Sequence, residues 1–393
     1  MMPTVSRIGC LLLATIYAFG FASAQHKPPS QSEWSAVERI VAVGDVHGDF
    51  RAFQKLLRET GIINARGRWI AGKTHLVQVG DVPDRGPDSR KAMDLLMKLE
   101  KQALKAGGRV HALIGNHEAM NIAGDLRYVD PGEYKAFVER RSRKRQQLFY
   151  ENTVEYLKNT LEPENLPVFD DTYKAQWLER YPLGYVEHRQ AWSAGGKYGR
   201  WVGGHNTIVK INDTLFVHGG ISPEYQDLPL DELNASIRRE LADGENIGDA
   251  AAANDPLGPL WYRGLSQVQE TCEIEQQLKS LLSVRGAKRI VVAHTPTAGA
   301  VLARYGGKLV MIDVGLSRHY GGARAALIIE GQKLNVMHEG ELLEPLLPAS
   351  AYLDKASKAS DAAAPLFARF MKNASASMLD QTLECALPDA ETP

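Results

Sequence analysis

The chain has 393 residues, 44% hydrophobic and 24% charged, with a formal net charge of −1. This is ordinary globular composition, and the length suits two to three domains or one large domain with insertions. The near-zero net charge excludes a global field for nucleic acid or an anionic membrane, so any phosphate must be held by a local site.

The chain opens with a targeting pattern. Arg7 is followed by an apolar run, Ile8 to Phe21, too short to span a bilayer comfortably, and by the small-x-small sequence Ala22-Ser23-Ala24 before Gln25. This predicts a signal peptide over 1–24 and export to the periplasm. No later stretch is long and apolar enough for a transmembrane helix, so no stable membrane insertion is expected after cleavage. Residues 25–36, with Pro28-Pro29, read as a mobile lead-in. Of the three cysteines, Cys10 lies in the signal; spacing alone leaves Cys272 and Cys385 either paired or free.

Three apolar runs then end in polar motifs. Ile40 to Val43 leads into Gly44-Asp45-Val46-His47-Gly48, and Phe50 to Glu59 reads as a helix stopped at Gly61. Asn64 to Gly72 carries turn residues around Trp69 and reads as a hairpin. Leu76 to Val79 leads into Gly80-Asp81-Val82-Pro83-Asp84-Arg85-Gly86. Pro87-Asp88-Ser89 opens an amphipathic helix to about Ala106, ended by Gly107-Gly108. Val110 to Ile114 leads into Gly115-Asn116-His117-Glu118. The motifs recur about every 35 residues, which suits strand-helix-strand units with parallel strands and an α/β fold. Ligands collect at the carboxyl ends of such strands.

From about 125 to 204 the rhythm changes to a polar, helical pattern, read as an inserted helical cap that could overhang the site. Its basic run, Arg140, Arg141, Arg143, Lys144 and Arg145, reads as a solvated helix face rather than a docking patch. Trp177, Tyr181, Tyr185, Trp192 and Trp201 read as the core of the cap. Strands resume at Thr207 to Ile211 and Thr214 to Val217, joined by Asn212-Asp213, and deliver His218-Gly219-Gly220. Leu230 to Ala242 and Glu273 to Val284 are helical. Arg289 to Val292 is a buried strand ending at Ala293-His294. Leu309 to Val314, Ala323 to Ile329 and Lys333 to Met337 read as a closing meander, and the tail after Ala349 as helical.

The strand-end donors are Asp45, His47, Asp81, Asn116, His218 and His294. They are carboxylate, imidazole and amide with no thiolate, a set suited to manganese, iron or zinc. Six are too many for one tetrahedral ion. They suit two ions about 3.5–4 Å apart that clamp a phosphoryl group. Asp84 and His117 can form an imidazolium general acid, and Arg85 offers a planar fork for phosphate, with Arg263 as a second candidate. His111, His188, His205 and His319 have no partner motif and read as structural.

The order Gly-Asp-x-His-Gly, Gly-Asp-x-x-Asp-Arg-Gly, Gly-Asn-His-Glu, His-Gly-Gly and a late histidine resembles the phosphoprotein phosphatase branch of the calcineurin-like metallophosphoesterases. Pro259-Leu260-Trp261-Tyr262-Arg263 together with Leu215 to Gly220 is similar to the Shewanella-like protein phosphatases. The match runs from about Ile40 to Met337, outside the insertion. It implies a β-sandwich flanked by helices over 37–345, with a C-terminal tail over 346–393. Asp45, His47 and Asp81 would bind the first divalent metal, and Asp81, Asn116, His218 and His294 the second. His117, oriented by Asp84, would protonate the leaving oxygen, and Arg85, Arg263 and Asn116 would hold the phosphate. A hydroxide bridging the two metals would attack phosphorus directly. Where eukaryotic relatives carry a Ser-Ala-Pro-Asn-Tyr-type loop, this chain reads Ile312-Asp313-Val314-Gly315, so neither toxin sensitivity nor that loop's tyrosine is carried over.

The expected substrate is a phosphorylated protein or peptide, on Ser/Thr or Tyr, or another small phosphoester, with no nucleic acid partner. The competing readings are a nucleotide or bis-nucleoside polyphosphate hydrolase and a non-catalytic phosphoprotein-binding scaffold.

Overall fold

The computed structural model describes residues 31–359 apart from 249–250, 267–270, 298 and 347–348. The signal-peptide reading, Cys10, Cys385 and the tail beyond 359 lie outside the described residues. Among the described residues, no helix is long and apolar enough to cross a membrane.

Strand β1 (Glu33–Trp34) precedes β2 (Arg39–Val43), helix α1 (Phe50–Glu59), β3 (His75–Gln78), α2 (Ser89–Lys105), β4 (Arg109–Ala112) and α3 (Asn116–Ala123). β2, β3 and β4 are adjacent and parallel, as the motif spacing predicts. Phe53, Leu56 and Leu57 give α1 one apolar face, and Asp49 caps it by accepting from Ala52 N–H at 3.0 Å. Helices α4 (Pro131–Ala136), α5 (Ser142–Thr160), α6 (Asp171–Arg180), α7 (Tyr185–Trp192) and α8 (Lys197–Val202) follow.

The second sheet begins with β5 (Ile208–Ile211) and β6 (Thr214–Val217), followed by α9 (Leu230–Ala242), α10 (Cys272–Val284) and β7 (Arg289–Val292). The chain continues through β8 (Leu302–Arg304), β9 (Leu309–Met311), β10 (Ala325–Glu330), β11 (Lys333–His338), β12 (Glu341–Leu343) and α11 (Ala349–Ala359). The result is two mixed six-stranded sheets, β1-β5-β6-β7-β9-β8 and β12-β11-β10-β2-β3-β4, flanked by helices. Strand alternation builds the layers. Phe216, Val291 and Val310 join the core shared with β2 and β3, while Leu215, Val217, Ile290 and Val292 face the other way onto Leu233, Leu278 and Leu281 of α9 and α10.

Several sequence expectations change here. Residues 31–36 of the lead-in are built into the fold: β1 pairs in parallel with β5, and Trp34 packs edge-on against His111 at 4.3 Å. The Asn64 to Gly72 hairpin reduces to one bridge, Ile63 to Trp69, because Trp69 turns its backbone and indole to Gln102 and Gly72. β9 is not part of the meander. It lies beside β7 in the other sheet, fully buried, and the meander is β10-β11-β12. Trp192 and Tyr198 are buried in the main core, whereas Phe149, Trp177, Tyr181 and Val186 form a separate cluster. Trp201 instead donates to Glu100 at 3.0 Å. The helical segment is thus rooted in the body of the protein. Arg140, Arg141, Arg143 and Lys144 are exposed, and Arg145 pairs with Glu139 and Glu187 at 2.8 Å.

Cys272 at the start of α10 is disulfide-bonded.

Candidate metal centre

Both sheets turn the carboxyl ends of their parallel strands to one edge. Asp45 and His47 follow β2, Asp81 follows β3, Asn116 opens α3 just after β4, His218 follows β6 and His294 follows β7. All six are at least 95% buried. The loops meet backbone to backbone. A Cβ on Gly80 would lie 2.6 Å from Gly115 N and 2.9 Å from His218 Nδ1, and one on Gly48 would lie 2.3 Å from Gly86 O. Five non-glycine residues here hold left-handed backbone: His47, Asp81, Asp84, Arg85 and His294. Each such residue costs on the order of 1–3 kcal/mol, and such strain collects at functional sites.

Asp81 stands at the centre. Its Oδ1 accepts the His117 backbone N–H at 2.9 Å. Its Oδ2 lies 3.3 Å from His218 Nε2 and 3.8 Å from His47 Nε2 and His117 Nε2. Two donor clusters share it: His47, Asp81 and His117, and Asp81, His218 and His294, each with donor atoms within 4.8 Å. Asn116 Oδ1 is 3.0 Å from His218 Nε2, and Asp45 Oδ2 is 3.6 Å from His47 Nε2. The first cluster contains His117 rather than Asp45, although Asp45 Oδ2 approaches the same His47 Nε2 and its Oδ1 lies 3.8 Å from His218 Nδ1.

The tautomers follow from carbonyl partners. His218 Nδ1–H donates to Val79 O at 2.7 Å and His47 Nδ1–H to Pro83 O at 3.1 Å, which leaves each Nε2 facing the carboxylates. The buried Nε2 of His294 has no hydrogen-bond partner. Its Nδ1 lies 3.1 Å from His218 Nε2.

Charge here is crowded. Burial and the neighbouring Asp313 push Asp45 well above the usual carboxylate range. Burial opposes ionisation of Asp81 too, but His218 and His117 hold it well below that range. Burial pulls His218 down, yet Asp81 and Asp45 carry it up to about 9. Burial and His218 press His294 down to about 2, which keeps its ring neutral. Buried carboxylates that draw positive charge, beside imidazole nitrogens, are a donor set that fits divalent cations.

Around this floor lie the remaining candidates. His117 Nδ1–H donates to Asp84 Oδ2 at 2.6 Å, and Asn121 donates to the other Asp84 oxygen at 2.9 Å. Arg85 stacks its guanidinium 3.8 Å over the Tyr128 ring. Arg263, exposed, donates to His294 O at 2.7 Å and to Thr295 Oγ1 at 3.0 Å.

Sequence reasoning missed several residues. Glu118 accepts from Gly115 N–H (2.8 Å), Asp81 N–H (2.9 Å) and Val82 N–H (2.8 Å), so one carboxylate ties the second motif to the third. Asp313, buried beside Asp45, ends a buried strand run by the same rule that selected the others. Tyr128 and Tyr320 come from loops with no strand-end signature. Of the histidines set aside, His111 contacts His75 at 3.1 Å and His205 pairs with Glu100 at 3.1 Å. His319 lies against Tyr320. His188 is buried 3.8 Å from Glu133.

Glu133 is fully buried behind Asp84: Ser89 Oγ donates to its Oε2 and receives the Asp84 N–H at 3.1 Å. Its Oε1 and both ring nitrogens of His188 have no hydrogen-bond partner. Burial and the Asp84 charge push Glu133 well above its ordinary 4.5. The folded state favours the neutral acid, while the unfolded chain ionises it near the ordinary value. Stability from this group is therefore full below that pH and declines as pH rises toward the folded value. Glu133→Gln is expected to melt above the parent at pH 8, by on the order of 1 kcal/mol, with the gap closing toward pH 4.5. Thermal melts across that range check it; a constant gap would assign the effect to packing.

The family described as calcineurin-like phosphoesterase matches residues 38–298. An uncharacterized protein of Schizosaccharomyces pombe is 33% identical over 300 residues, covering 74% of this chain and 76% of its own. Shewanella-like protein phosphatase 2 of Arabidopsis thaliana is 30% identical, covering 73% and 74%. Among solved structures, the cold-active protein-tyrosine phosphatase of a psychrophilic Shewanella is 28% identical with a TM-score of 0.62, covering 82% of this chain and 84% of that one.

Proposed function

Because the chain belongs to the calcineurin-like phosphoesterases, a family of metal-dependent phosphoester hydrolases using two divalent metals, we propose that it is an exported phosphatase acting on phosphorylated protein side chains. The observation that carries this reading is Asp81, one carboxylate shared by two donor clusters, with the His117–Asp84 pair beside it.

Asp45, His47 and Asp81 would hold one ion, and Asp81, Asn116, His218 and His294 the other. Manganese, iron and zinc suit these oxygen and nitrogen donors. Bound ions supply Lewis acidity toward phosphoryl oxygens and acidify water for the attack. Arg85 and Arg263, with the Asn116 amide, would bind and orient the phosphate. The Asp84 carboxylate fixes the His117 Nδ1–H, so Nε2 is the atom that would deliver a proton to the leaving oxygen as the ester bond breaks. Similarity to a Shewanella-like protein phosphatase and a protein-tyrosine phosphatase supports a protein substrate. The Arg7 to Ala24 pattern supports export, and the Cys272 disulfide fits an oxidising compartment such as the periplasm.

The test is phosphate release from phosphopeptides by the mature chain from Gln25, after chelation and after manganese, iron, zinc or magnesium is restored. Metal-dependent release is expected. Release from dinucleoside polyphosphates alone would move the substrate to nucleotides, and phosphopeptide binding without turnover would leave a scaffold.

A further inference from the structure

Behind the His117–Asp84 pair runs a buried chain of groups that leads away from the metal donors. Asp84 is fully buried and every one of its polar atoms is engaged. Its Oδ2 holds the His117 Nδ1–H at 2.6 Å and its Oδ1 accepts from Asn121 at 2.9 Å. Its carbonyl accepts from Gly86 N–H at 2.7 Å, and its own N–H donates to Ser89 Oγ at 3.1 Å. The backbone is left-handed at Asp84, φ 73°, and again at Arg85, φ 63°. Such a conformation persists at a non-glycine residue only where neighbours over-determine it. Ser89 does so on one side. On the other, the Tyr128 carbonyl accepts from Arg85 N–H at 2.9 Å.

Ser89 is set in turn by Glu133. A serine hydroxyl has one proton and two lone pairs. Ser89 gives its proton to Glu133 Oε2, which turns a lone pair toward the Asp84 N–H. Glu133 stands on α4, and α4 is locked against the start of α2. Arg90 donates to Ala136 O, and a Cβ on Gly132 would lie 2.8 Å from Pro87 Cβ. The helical segment closes the back. His188 of α7 places its Nε2 3.8 Å from Glu133 Oε1, and its ring is walled by Tyr134 and Phe137, with centroids 5.2 and 5.0 Å away. Ser89, Glu133 and His188 are all fully buried, so losing one partner leaves its neighbour unpaired rather than solvated.

We propose that Glu133 is a positioning residue for the general acid: through Ser89 it fixes the backbone of Asp84, and with it the ring of His117, while His188 of the inserted segment packs against it from behind. The proposal rests on the phosphatase reading and extends it, because it ties the insertion to the atom that delivers the proton. Ser89 and Glu133 act through Asp84 alone.

The experiment reads kcat/KM on an alkyl phosphate monoester and on 4-nitrophenyl phosphate for the metal-loaded parent, Ser89→Ala, Glu133→Leu and Glu133→Gln. Only the alkyl ester needs the proton. Ser89→Ala and Glu133→Leu should lower kcat/KM on it by about 10- to 100-fold, the cost of misplacing a reacting group by about 1 Å, with a far smaller loss on the nitrophenyl ester. Glu133→Gln keeps an oxygen for Ser89 and should recover most of what Glu133→Leu loses. In a His117→Ala background, Ser89→Ala should cost nothing further on the alkyl ester, because the group being positioned is gone. Equal losses on both esters, or full additivity with His117→Ala, overturn the proposal.

A second readout needs no turnover. In the zinc-loaded protein the His117 Nδ1–H proton, bonded to Asp84, is followed as a downfield NMR signal identified by its loss in His117→Ala. Ser89→Ala should move it upfield as the bond lengthens. An unmoved signal overturns the proposal. A moved signal in a protein that hydrolyses no ester supports the positioning role while the phosphatase reading fails. Should Glu133→Leu fail to fold, Ser89→Ala carries both readouts.

Discussion

Replacing His117 with alanine is expected to lower kcat/KM on an alkyl phosphate monoester by about 10²–10⁴-fold, the usual worth of a positioned general acid. The same change should cost far less on 4-nitrophenyl phosphate, whose leaving oxygen departs without a proton. The geometry gives the reason. Nδ1 is committed to Asp84 at 2.6 Å, so only Nε2 can act, and it lies at the site floor 3.8 Å from Asp81. Asp84→Asn should reproduce part of the loss, because an amide nitrogen or a neutral oxygen holds an imidazolium poorly. The measurement is kcat/KM for both esters across pH. If His117→Ala costs the same on both, His117 acts on the metal or the phosphate, and the acid lies elsewhere. The cluster of His47, Asp81 and His117 makes that a concrete competing outcome.

Asp81→Asn is expected to have the larger effect on metal binding. Asn keeps an oxygen that can accept the His117 N–H but removes the charge that both clusters share. Losses beyond the about 10–100-fold seen for outer partners of metal ligands are expected in activity. Stability should report the same event independently of turnover. For the parent at a metal concentration about 100 times Kd, binding adds about 2.7 kcal/mol to stability. Melting curves with chelator and with manganese should therefore separate widely for the parent and scarcely for the variant. An undiminished metal-induced shift in Asp81→Asn would remove Asp81 from the centre.

Much of this site was legible in sequence because strand-end chemistry is local. Asp45, His47, Asp81, Asn116, His218 and His294 each close an apolar run, and parallel pairing carries such ends to one edge. What escaped depends on tertiary neighbours. Glu118 reads as the last letter of a motif, yet its carboxylate serves three backbone N–H groups across two loops. Tyr128 and Tyr320 sit in polar turns 192 positions apart in sequence, and only folding sets both beside Arg85. β1 escaped because two residues carry no periodicity. β9 was given to the wrong sheet because an all-buried strand does not announce its partner. The helical segment was legible as helical; its anchorage through Trp192 and Tyr198 was not, since aromatic residues look alike in sequence whichever core receives them.

That anchorage has a practical edge for anyone wishing to shorten or exchange the segment. Arg189 of α7, 2% exposed, donates to the carbonyls of Asn121 and Ile122 and pairs with Glu245 at 2.8 Å. Those carbonyls belong to the last turn of α3, the helix whose first turn carries Asn116 and His117. A positive charge there completes a helix end. Splicing residue 124 directly to 207 would strip α3 of that terminal support and remove the buried His188 beside Glu133 at the same stroke. A chimera that trades only the outer helices, α5 and α6, is the better graft: it keeps α7 as a keystone, with the Arg189 contacts to α3 and the His188–Glu133 approach in place.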